Sequence, residues 1–537
     1  MALDSLGPVM HAPRRTGGRA GWLLGAAVVV VPLMAVIAAR LDRLVVTSDS
    51  VAQQSVVVTW FRAGHATTYL PPDTWLLKIP VYLGVEALPL TPSTRLLVES
   101  VTLAVLAFAL LAVGLGLIVR SAGPVGAGLR PVDVVLPLAW LGTVGGGLGQ
   151  YLAVMPNSRN LELGAAFCLL GAVALRTTAR GADRSAARDV AAAGAAVVVL
   201  GLLWVDDPYV AFLVGLPLAV ACVAWFMLRD RDRRLLGAAA VLVVSLAALP
   251  VLRRVLALAG VEVVPDATGV TLDPARLVAH LPILWPSLAA QVGLREPATL
   301  ASWPARVTVL VVLAVGVVAG GWLARYGWRE RALGPAFLGV HWLVVVAGVL
   351  VNRTIYDFHA GRYLVLGIVD LAMTLGVTTA LLRRTRPRLA AGIGVLLAVA
   401  ALADVVAVAG DRTQRPVLAE RQDRTLALLR GTGATKGVSG FWAADLYTHR
   451  SGGELLLSDV GCTGHRLRAR FWLTDSARLR LPAARSVVLW DETAPDGVGC
   501  SVADLERQFG PPVERLAAPT GGVVLVYDDD VTTRLVS

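Results

Sequence analysis

Eleven apolar stretches, each about 20 residues long, occupy most of the first 410 residues of this 537-residue chain. The first lies at Trp22 to Ala39 and the last at Leu389 to Ala409. A helix needs about 20 apolar residues to cross a hydrocarbon core of about 30 Å, and in lipid the backbone has to satisfy its own hydrogen bonds, as a helix does. The pattern therefore predicts a polytopic α-helical membrane protein with eleven spans. The nine spans between these two are Leu97–Val119, Val134–Met155, Leu161–Leu175, Val190–Val205, Val210–Leu228, Leu235–Leu252, Val307–Ala324, Leu333–Val351 and Tyr363–Leu382.

Composition and charge agree with this class of protein. Hydrophobic residues make up 56% of the chain and charged residues 16%, with a mean hydropathy of +0.67, which is typical of multi-span proteins. The net charge of +11 comes from arginines in alternate short loops, whereas the short loops of the other side hold only Arg159, Arg353 and Arg362. By the positive-inside rule the N-terminus is cytoplasmic and the C-terminus external, in a plasma (inner) membrane. Because the arginines follow span ends and form no single patch, they do not indicate a nucleic-acid partner.

The first apolar stretch could be a signal peptide, but Arg40 follows Ala39 at once without a clear small-residue cleavage site, which favours a retained span. Residues 1–410 thus form the transmembrane domain, with long external loops at 41–96 and 253–304. The tail, 411–537, alternates helical and β-like runs and is expected to be a small external α/β or α+β domain. Its predicted elements are a helix at Val417–Leu429, strands at Glu454–Val460, Ser486–Trp490 and Val523–Tyr527, and a capped helix from Ser501 to Phe509.

Four cysteines divide between the two predicted parts of the chain. Cys168 and Cys222 lie in apolar spans, where a thiol usually packs as a small hydrophobe. Cys462 and Cys500 both fall in the tail, an oxidising place if it is external, so we predict a disulfide between them. No cysteine pair has the spacing of zinc ligands.

The first long loop concentrates polar residues that a membrane protein has reason to keep. Asp49 follows the first span closely, His65 ends an apolar-periodic stretch, and Lys78 precedes Ile79-Pro80. Lysine is rare in this chain, which otherwise uses arginine, and a compact ammonium suits a lipid-linked phosphate. The alternative is structural: Asp49 caps a helix that begins at Ser50, and Lys78 snorkels to the headgroups. The residues alone leave both interpretations open.

Other polar residues interrupt the spans or their external ends. Glu162 lies about one helical turn into the membrane, Arg159 precedes it, and Asp206-Asp207-Pro208-Tyr209 forms a whole external connection that is also a typical turn. Intramembrane acids are functional candidates, although Asp370 and Asp404 could pair with an arginine, and His341 is expected to be a packing residue. A further loop collects Tyr356, Asp357, His359 and Arg362. In the tail, Phe441-Trp442, His449 and His465 could line a carbohydrate-binding surface, but packing is the favoured interpretation.

A first span, an Asp, a stretch ending in Gly64-His65 and a Lys78-Ile79-Pro80 segment together resemble the GT-C superfamily of membrane glycosyltransferases. This superfamily includes protein O-mannosyltransferases and aminoarabinose transferases. The resemblance implies a polyprenyl-phosphate sugar donor, with Asp49 as catalytic base and Lys78 on the donor phosphate. It also implies a phosphate contact for Arg362 of Gly361-Arg362-Tyr363, which opens a span as an Arg-Tyr pair does in many relatives.

Two departures from the superfamily pattern bear on the chemistry. Asp49 is followed by Ser50, where many relatives have a second acid, and the second external loop has Glu162 only within the span. Relatives use such extra acids to hold a divalent metal, so we predict no metal cofactor. A single base favours direct displacement with inversion, because retention requires a second nearby carboxylate, for which Glu162 is a weak candidate.

The sequence therefore predicts a GT-C-like enzyme that transfers a sugar from a polyprenyl-phosphate donor to an unknown glycan, lipid or protein acceptor on the external face, in cell-envelope glycan or glycoconjugate assembly. Candidate substrate-binding residues are Lys78, Arg362, Tyr363, His65, Arg159, Glu162, Asp206 and Asp207. The alternatives are a transporter or flippase of a lipid-linked saccharide, and an inactive GT-C-like scaffold. The odd number of spans and the lack of internal repeats count against the transporter.

Overall fold

The computed structural model describes residues 27, 31, 33–41, 48–64, 67–70, 76–122, 129–144, 159–178, 186–263, 271–294, 302–352, 358–410, 417–471, 474–494 and 498–535. Among the predicted site residues, His65, Tyr356 and Asp357 lie outside these ranges, and Asp49 is described only by its place in a helix. The predicted spans Trp22–Ala39 and Val134–Met155 are described in part.

Helices dominate the described part of the first 410 residues. The first seven helices are α1 (33–41), α2 (Ser48–Ala63), α3 (Ile79–Glu86), α4 (Pro92–Ser121), α5 (Pro131–Thr143), α6 (Asn160–Thr178) and α7 (Ala186–Asp206). The next eight are α8 (Pro208–Leu228), α9 (Arg233–Ala247), α10 (Leu249–Leu258), α11 (Pro274–Gln291), α12 (Trp303–Glu330), α13 (Leu333–Val351), α14 (Val365–Thr385, preceded by a 3₁₀ turn at Phe358–Leu364) and α15 (Pro387–Gly410).

Six helices of the described part are long and apolar enough to cross a membrane, namely α4, α8, α12, α13, α14 with its preceding turn, and α15. The pair α9 and α10, bent by 43°, would make a seventh, and α5 and α7 are shorter apolar helices. The bend follows from Pro250 near the start of α10, which removes a backbone donor at that point. The prediction of a helical membrane protein is confirmed, whereas the count of eleven spans stays a prediction.

Close helix packing forms the bundle. A Cβ placed on Gly114 of α4 would lie 2.6 Å from the backbone carbonyl carbon of Phe167 in α6, and one on Gly171 would lie 2.6 Å from Leu117 Cβ. Only glycine permits this approach, which brings the two backbones together as small residues do in membrane helices. The packing fixes the start of α6, which carries Glu162 and directly follows Arg159, relative to the start of α4.

A small sheet joins three segments that are distant in sequence. Strand β1 (Thr68–Leu70) pairs in parallel with β2 (Val261–Val263) and antiparallel with β6 (Thr474–Asp475). These strands come from the two long loops and the tail that the arginine distribution predicts to be external. Their pairing places all three segments at the same end of the bundle, as the prediction requires.

The tail folds as a three-layer α/β unit around a six-stranded sheet. The remaining strands are β3 (Lys436–Ser439), β4 (Leu456–Thr463), β5 (Arg466–Ala469), β7 (Ser486–Trp490), β8 (Glu514–Ala517) and β9 (Val523–Tyr527), in the order β5-β4-β3-β7-β9-β8. Strands β4 and β7 flank β3 in parallel, and the other pairs are antiparallel. The helices are α16 (Val417–Gly431), α17 (Phe441–Arg450), α18 (Ala477–Arg480) and α19 (Val502–Phe509).

Side-chain alternation along β7 produces the two cores of this unit. Val487 and Leu489 pack with α16 and α17 on one face, while Val488 and Trp490 pack with α19 on the other. The predicted helix and strands are found, and Ser501 caps α19 as predicted by accepting a 3.2 Å hydrogen bond from the Asp504 N–H. The predicted disulfide between Cys462 and Cys500 is present, with Cα atoms 5.7 Å apart.

A buried ionic network connects α2 to the tail. Arg478 of α18 donates to Asp445 Oδ1 at 2.7 Å and to Thr59 Oγ1 at 2.8 Å, and Ser55 of α2 hydrogen-bonds to both charged groups. Burial raises the pKa of Asp445, and the Arg478 guanidinium opposes that rise. Phe441 of α17 packs beside this network on Ala52 of α2. The helix that carries Asp49 is therefore held against the tail by both charge and packing.

Candidate functional site

Most of the described candidate residues meet at the end of the bundle that faces the tail. This is the end at which α4 begins. A Cβ placed on Gly452 of the tail would lie 3.6 Å from Cγ of Pro92, the first residue of α4. The start of α6, the break between α7 and α8 and the turn before α14 lie at the same end. Two groups of side chains form there, which we call the carboxylate cluster (Lys78, Glu162 and Asp206) and the arginine–tyrosine cluster (Arg159, Asp207, Tyr209, Arg362 and Tyr363).

In the carboxylate cluster, one ammonium serves two acids. Lys78 Nζ lies 3.2 Å from Glu162 Oε1, and both side chains are fully buried. The Asp206 carboxyl lies close enough to Glu162 and Lys78 to interact with both charges, and it accepts a bond from the backbone N–H of Leu76. The cluster therefore places two buried acids beside one ammonium.

The Lys78 ammonium contacts a carboxylate in this structure. Its side chain has no exposure, so it does not snorkel to the headgroups, and its contact with a donor phosphate stays a prediction. Burial next to Glu162 follows from the start of α3, where the carbonyl of Lys78 accepts bonds from the Val81 and Tyr82 N–H groups and directs the chain into the bundle. Lys78 therefore orients the two acids.

The break between α7 and α8 positions the second cluster. Asp207 caps α8, since its Oδ1 accepts a 2.9 Å bond from the Tyr209 N–H and Pro208 follows at the first helical position. The turn that the sequence suggested is thus present. The Oδ2 atom of Asp207 also accepts a 3.0 Å hydrogen bond from Arg159 Nε, so this carboxylate has a second partner outside the turn. A π-helical segment, Ala211–Gly215, follows directly, a feature common near functional sites.

Two guanidinium groups lie against the ring of Tyr363 in the arginine–tyrosine cluster. The Cζ atom of Arg159 is 5.6 Å from the centre of this ring and 5.1 Å from that of Tyr209, and the Cζ atom of Arg362 is 5.3 Å from that of Tyr363. The two tyrosine rings lie 5.2 Å apart, and the Tyr209 hydroxyl donates to the Tyr363 carbonyl. Arg362 is exposed and Arg159 is mostly buried.

Gly361 allows the turn before α14 to reach this position. A Cβ on Gly361 would lie 2.6 Å from the Ser287 carbonyl oxygen of α11 and 3.0 Å from Gln291 Nε2. A larger residue would push the turn away from α11 and displace Arg362. The Gly361-Arg362-Tyr363 segment thus has a steric reason for its first residue and a cation–π contact for the other two.

Some candidates lie elsewhere. His341 and Asp370 form a buried pair inside the bundle, with Nδ1 and Oδ2 2.9 Å apart and Nε2 2.6 Å from the Leu213 carbonyl oxygen. Asp370 therefore pairs with the histidine rather than with the arginine that the sequence suggested, and His341 has the packing role predicted for it. Asp404 is buried on α15.

Sequence reasoning did not single out Tyr82. It lies one turn beyond Lys78, is fully buried beside Glu162 and Asp206, and its hydroxyl is 3.2 Å from Gln53 Oε1 of α2. The four-residue spacing from Lys78 to Tyr82 on a short helix is the signal that could have identified it. Through Gln53, this tyrosine connects the carboxylate cluster to the helix that carries Asp49.

Among the described residues, no group of three or more His, Cys, Asp and Glu side chains is arranged to hold a metal ion. Metal independence stays a prediction. No protein-family model matches the chain, and a comparison with curated proteins found no match.

Proposed function

We propose that the protein is a membrane glycosyltransferase that takes its sugar from a polyprenyl-phosphate donor. One observation carries the proposal: Arg159 and Arg362 both lie against Tyr363, next to the carboxylate cluster, at a single end of the bundle. The proposal includes eleven spans, a cytoplasmic N-terminus, and a site on the external face of the plasma membrane, where a glycan, lipid or protein accepts the sugar.

A lipid-linked phosphate needs cations at the level of the headgroups and an apolar surface for its chain. Guanidinium groups bind phosphate with paired N–H donors. Both arginines lie against the ring of Tyr363, and Arg159 is also held by its hydrogen bond to Asp207. Arg362, being exposed, would meet the headgroup first, and Arg159 would lie behind it. Lys78 belongs to the proposal as a positioning residue, through Glu162 and Asp206.

The transfer step needs a base and a stabilised leaving group. The acceptor hydroxyl oxygen attacks the anomeric carbon, its proton passes to the Asp49 carboxylate, and the bond from that carbon to the phosphate oxygen breaks with its electron pair on the phosphate. Negative charge grows on that oxygen in the transition state, so Arg159 and Arg362 contribute most there. Support for Asp49 comes from the resemblance and from the position of α2, which carries it and packs against the tail.

The test is donor consumption by the purified full-length protein in lipid nanodiscs. Each of a set of polyprenyl-phosphate monosaccharides is supplied together with glycan, lipid and protein acceptors, and the released polyprenyl phosphate is measured. Removing one charged contact to the phosphate costs about 1.5–3 kcal/mol, so Arg362→Ala should lower kcat/KM about tenfold to a hundredfold. Arg276→Ala, which alters an exposed arginine of α11, is the matched control and should leave kcat/KM unchanged.

Three results would contradict this function or redirect it. Donor that moves between leaflets of a vesicle without being consumed would favour the transporter. Donor that is neither consumed nor moved would favour the inactive scaffold. Consumption that is equally fast in Arg362→Ala would remove the arginine–tyrosine cluster from the donor site.

A further inference from the structure

A cavity of about 180 Å³ lies in the tail, away from both clusters. Its wall is formed at the carboxyl ends of two adjacent parallel strands, by Ser439 as the last residue of β3 and Asp491 directly after β7. Trp442 and Tyr447 of α17 and the turn at Thr520 and Gly521 complete it. Ser439 Oγ donates to the Leu489 carbonyl at 2.9 Å, which holds the two strand ends together.

The place of the cavity in the sheet is one where ligands bind in α/β folds. The chain leaves β3 through α17 to reach β4 on one side, and β7 lies parallel to β3 on the other side. The connections therefore run to opposite sides of the sheet at the point between β3 and β7. The crevice outside the carboxyl ends of the strands at such a point is the usual ligand site of an open α/β sheet. The cavity opens there.

We propose that this cavity binds a neutral saccharide unit of the acceptor. The indole ring of Trp442, 46% exposed, offers a flat apolar face on which the C–H face of a sugar ring stacks. Hydroxyl-bearing residues line the same cavity, namely Ser439, Tyr447 and Thr520, and Thr520 Oγ1 lies 3.2 Å from Thr425 Oγ1. This combination of one aromatic face and several hydroxyl-binding groups recognises a polyol.

Charge argues against an anionic ligand such as a nucleotide. The described residues that line the cavity include no lysine or arginine, and Asp491 contributes a carboxylate. Asp491 Oδ1 accepts bonds from Thr493 at 2.9 and 2.6 Å, while Oδ2 lies 3.3 Å from the position that a Cβ on Gly521 would take. A glycine there leaves room beside Oδ2, which can accept a hydrogen bond from a sugar hydroxyl.

Helix α17 links the cavity to α2. Phe441 packs on Ala52 and Val56 of α2, while its neighbour Trp442 lines the cavity. The Leu446 N–H donates to Ser48 Oγ at 3.4 Å, directly before Asp49 in sequence. A saccharide chain anchored at Trp442 would thus be held by the helix that contacts the start of α2. The assignment of the saccharide to the acceptor rests on the proposed function; the binding site itself does not.

The test is binding of neutral linear oligosaccharides of mannose, glucose, galactose and arabinose to the full-length protein in nanodiscs, without donor, measured by saturation-transfer NMR and calorimetry. At least one should bind, and Trp442→Ala should weaken it about tenfold, as loss of an aromatic contact does. Trp442→Phe should retain most of the affinity, which would exclude misfolding as the cause. Trp285→Ala, which alters an exposed tryptophan of α11, should bind as the wild type does.

Failure to bind any of these oligosaccharides, or equal binding by Trp442→Ala, would overturn the proposal, as would ADP competing more strongly than any sugar. Because no donor is present, the result is independent of catalysis. Oligosaccharide binding without donor consumption would keep the cavity and reject the glycosyltransferase. Donor consumption with transfer to an acceptor but no oligosaccharide binding would keep the enzyme and reject the cavity.

Discussion

Lys78 and Glu162 form an ion pair of 3.2 Å in which both side chains are fully buried. The loop before α3 supplies the ammonium and α6 supplies the carboxylate, so the pair fastens the first long loop to the bundle. Asp206, whose carboxyl interacts with the charges of both Lys78 and Glu162, extends the pair to the end of α7. Three segments at one end of the bundle thus depend on a single lysine, in a chain that otherwise uses arginine for almost all of its positive charge.

We expect Lys78→Met to destabilise the protein by about 3–5 kcal/mol, because it leaves a buried carboxylate without its cation. Glu162→Gln should also destabilise it. The double variant Lys78→Met/Glu162→Gln should recover at least half of the loss, since the charge and its partner are removed together. Unfolding of the detergent-solubilised protein measures all three. Arg430→Met, which breaks an exposed pair with Glu454, is the control and should cost less than about 1 kcal/mol. Additive losses in the double variant would show that the pair is not coupled.

Asp49→Asn should abolish sugar transfer and leave folding intact. Helix α2 begins at Ser48, so Asp49 lies within its first turn, where asparagine is tolerated nearly as well as aspartate but cannot accept the acceptor proton. Loss of a general base lowers kcat by about a hundredfold or more. Asp273→Asn is the matched control, because Asp273 caps α11 through a 3.0 Å bond from the Ala275 N–H and asparagine can replace it. Near wild-type transfer by Asp49→Asn would falsify the catalytic role.

The sequence predicted what depends on local patterns. Apolar length predicted the helices, short β-like runs predicted β7 and β9, and Ser501 predicted the cap of α19. It also singled out Arg159, Glu162, Asp206 and Arg362 as isolated breaks in an apolar background, which is a strong signal because charge in a span is costly.

Pairing between distant segments could not be predicted in the same way. The burial of Lys78 against Glu162 joins residues 84 positions apart, and the sheet of β1, β2 and β6 joins strands of two or three residues that carry almost no pattern. Lys78 illustrates the reason: its rarity indicated importance, but only tertiary structure determines which carboxylate its ammonium contacts. The cavity at Trp442 likewise depends on strand order, which a single sequence does not encode locally.

Arg478→Met should loosen the tail from α2. The variant leaves the Asp445 carboxylate buried without its cation, at a cost of about 3–5 kcal/mol, and removes the bond to Thr59. Hydrogen exchange of α2 amides should therefore accelerate in the full-length protein. Arg480→Met, two positions along on the exposed side of the same short helix, should leave exchange unchanged. Equal exchange in both variants would mean that the other contacts between α2 and the tail, such as those of Phe441 and Leu446, hold α2 in place without Arg478.

The tail should lose stability as pH falls from about 6.5 to about 4 because of His449. Burial lowers the pKa of this histidine to about 4, with Arg95 and Arg450 adding repulsion, whereas the unfolded chain has the ordinary value of about 6.5. Among the described residues its Nδ1 has no hydrogen-bond partner. Between these pH values the unfolded state binds the proton and the folded state does not. The free energy of unfolding, at its full value above pH 6.5, therefore falls by on the order of 3 kcal/mol.

Exchange of β3 and β7 amides in the full-length protein should accelerate over this range. The acceleration should be absent in His449→Asn and retained in His465→Asn, whose histidine is exposed. Identical pH profiles in His449→Asn and the wild type would assign the acid sensitivity to other groups.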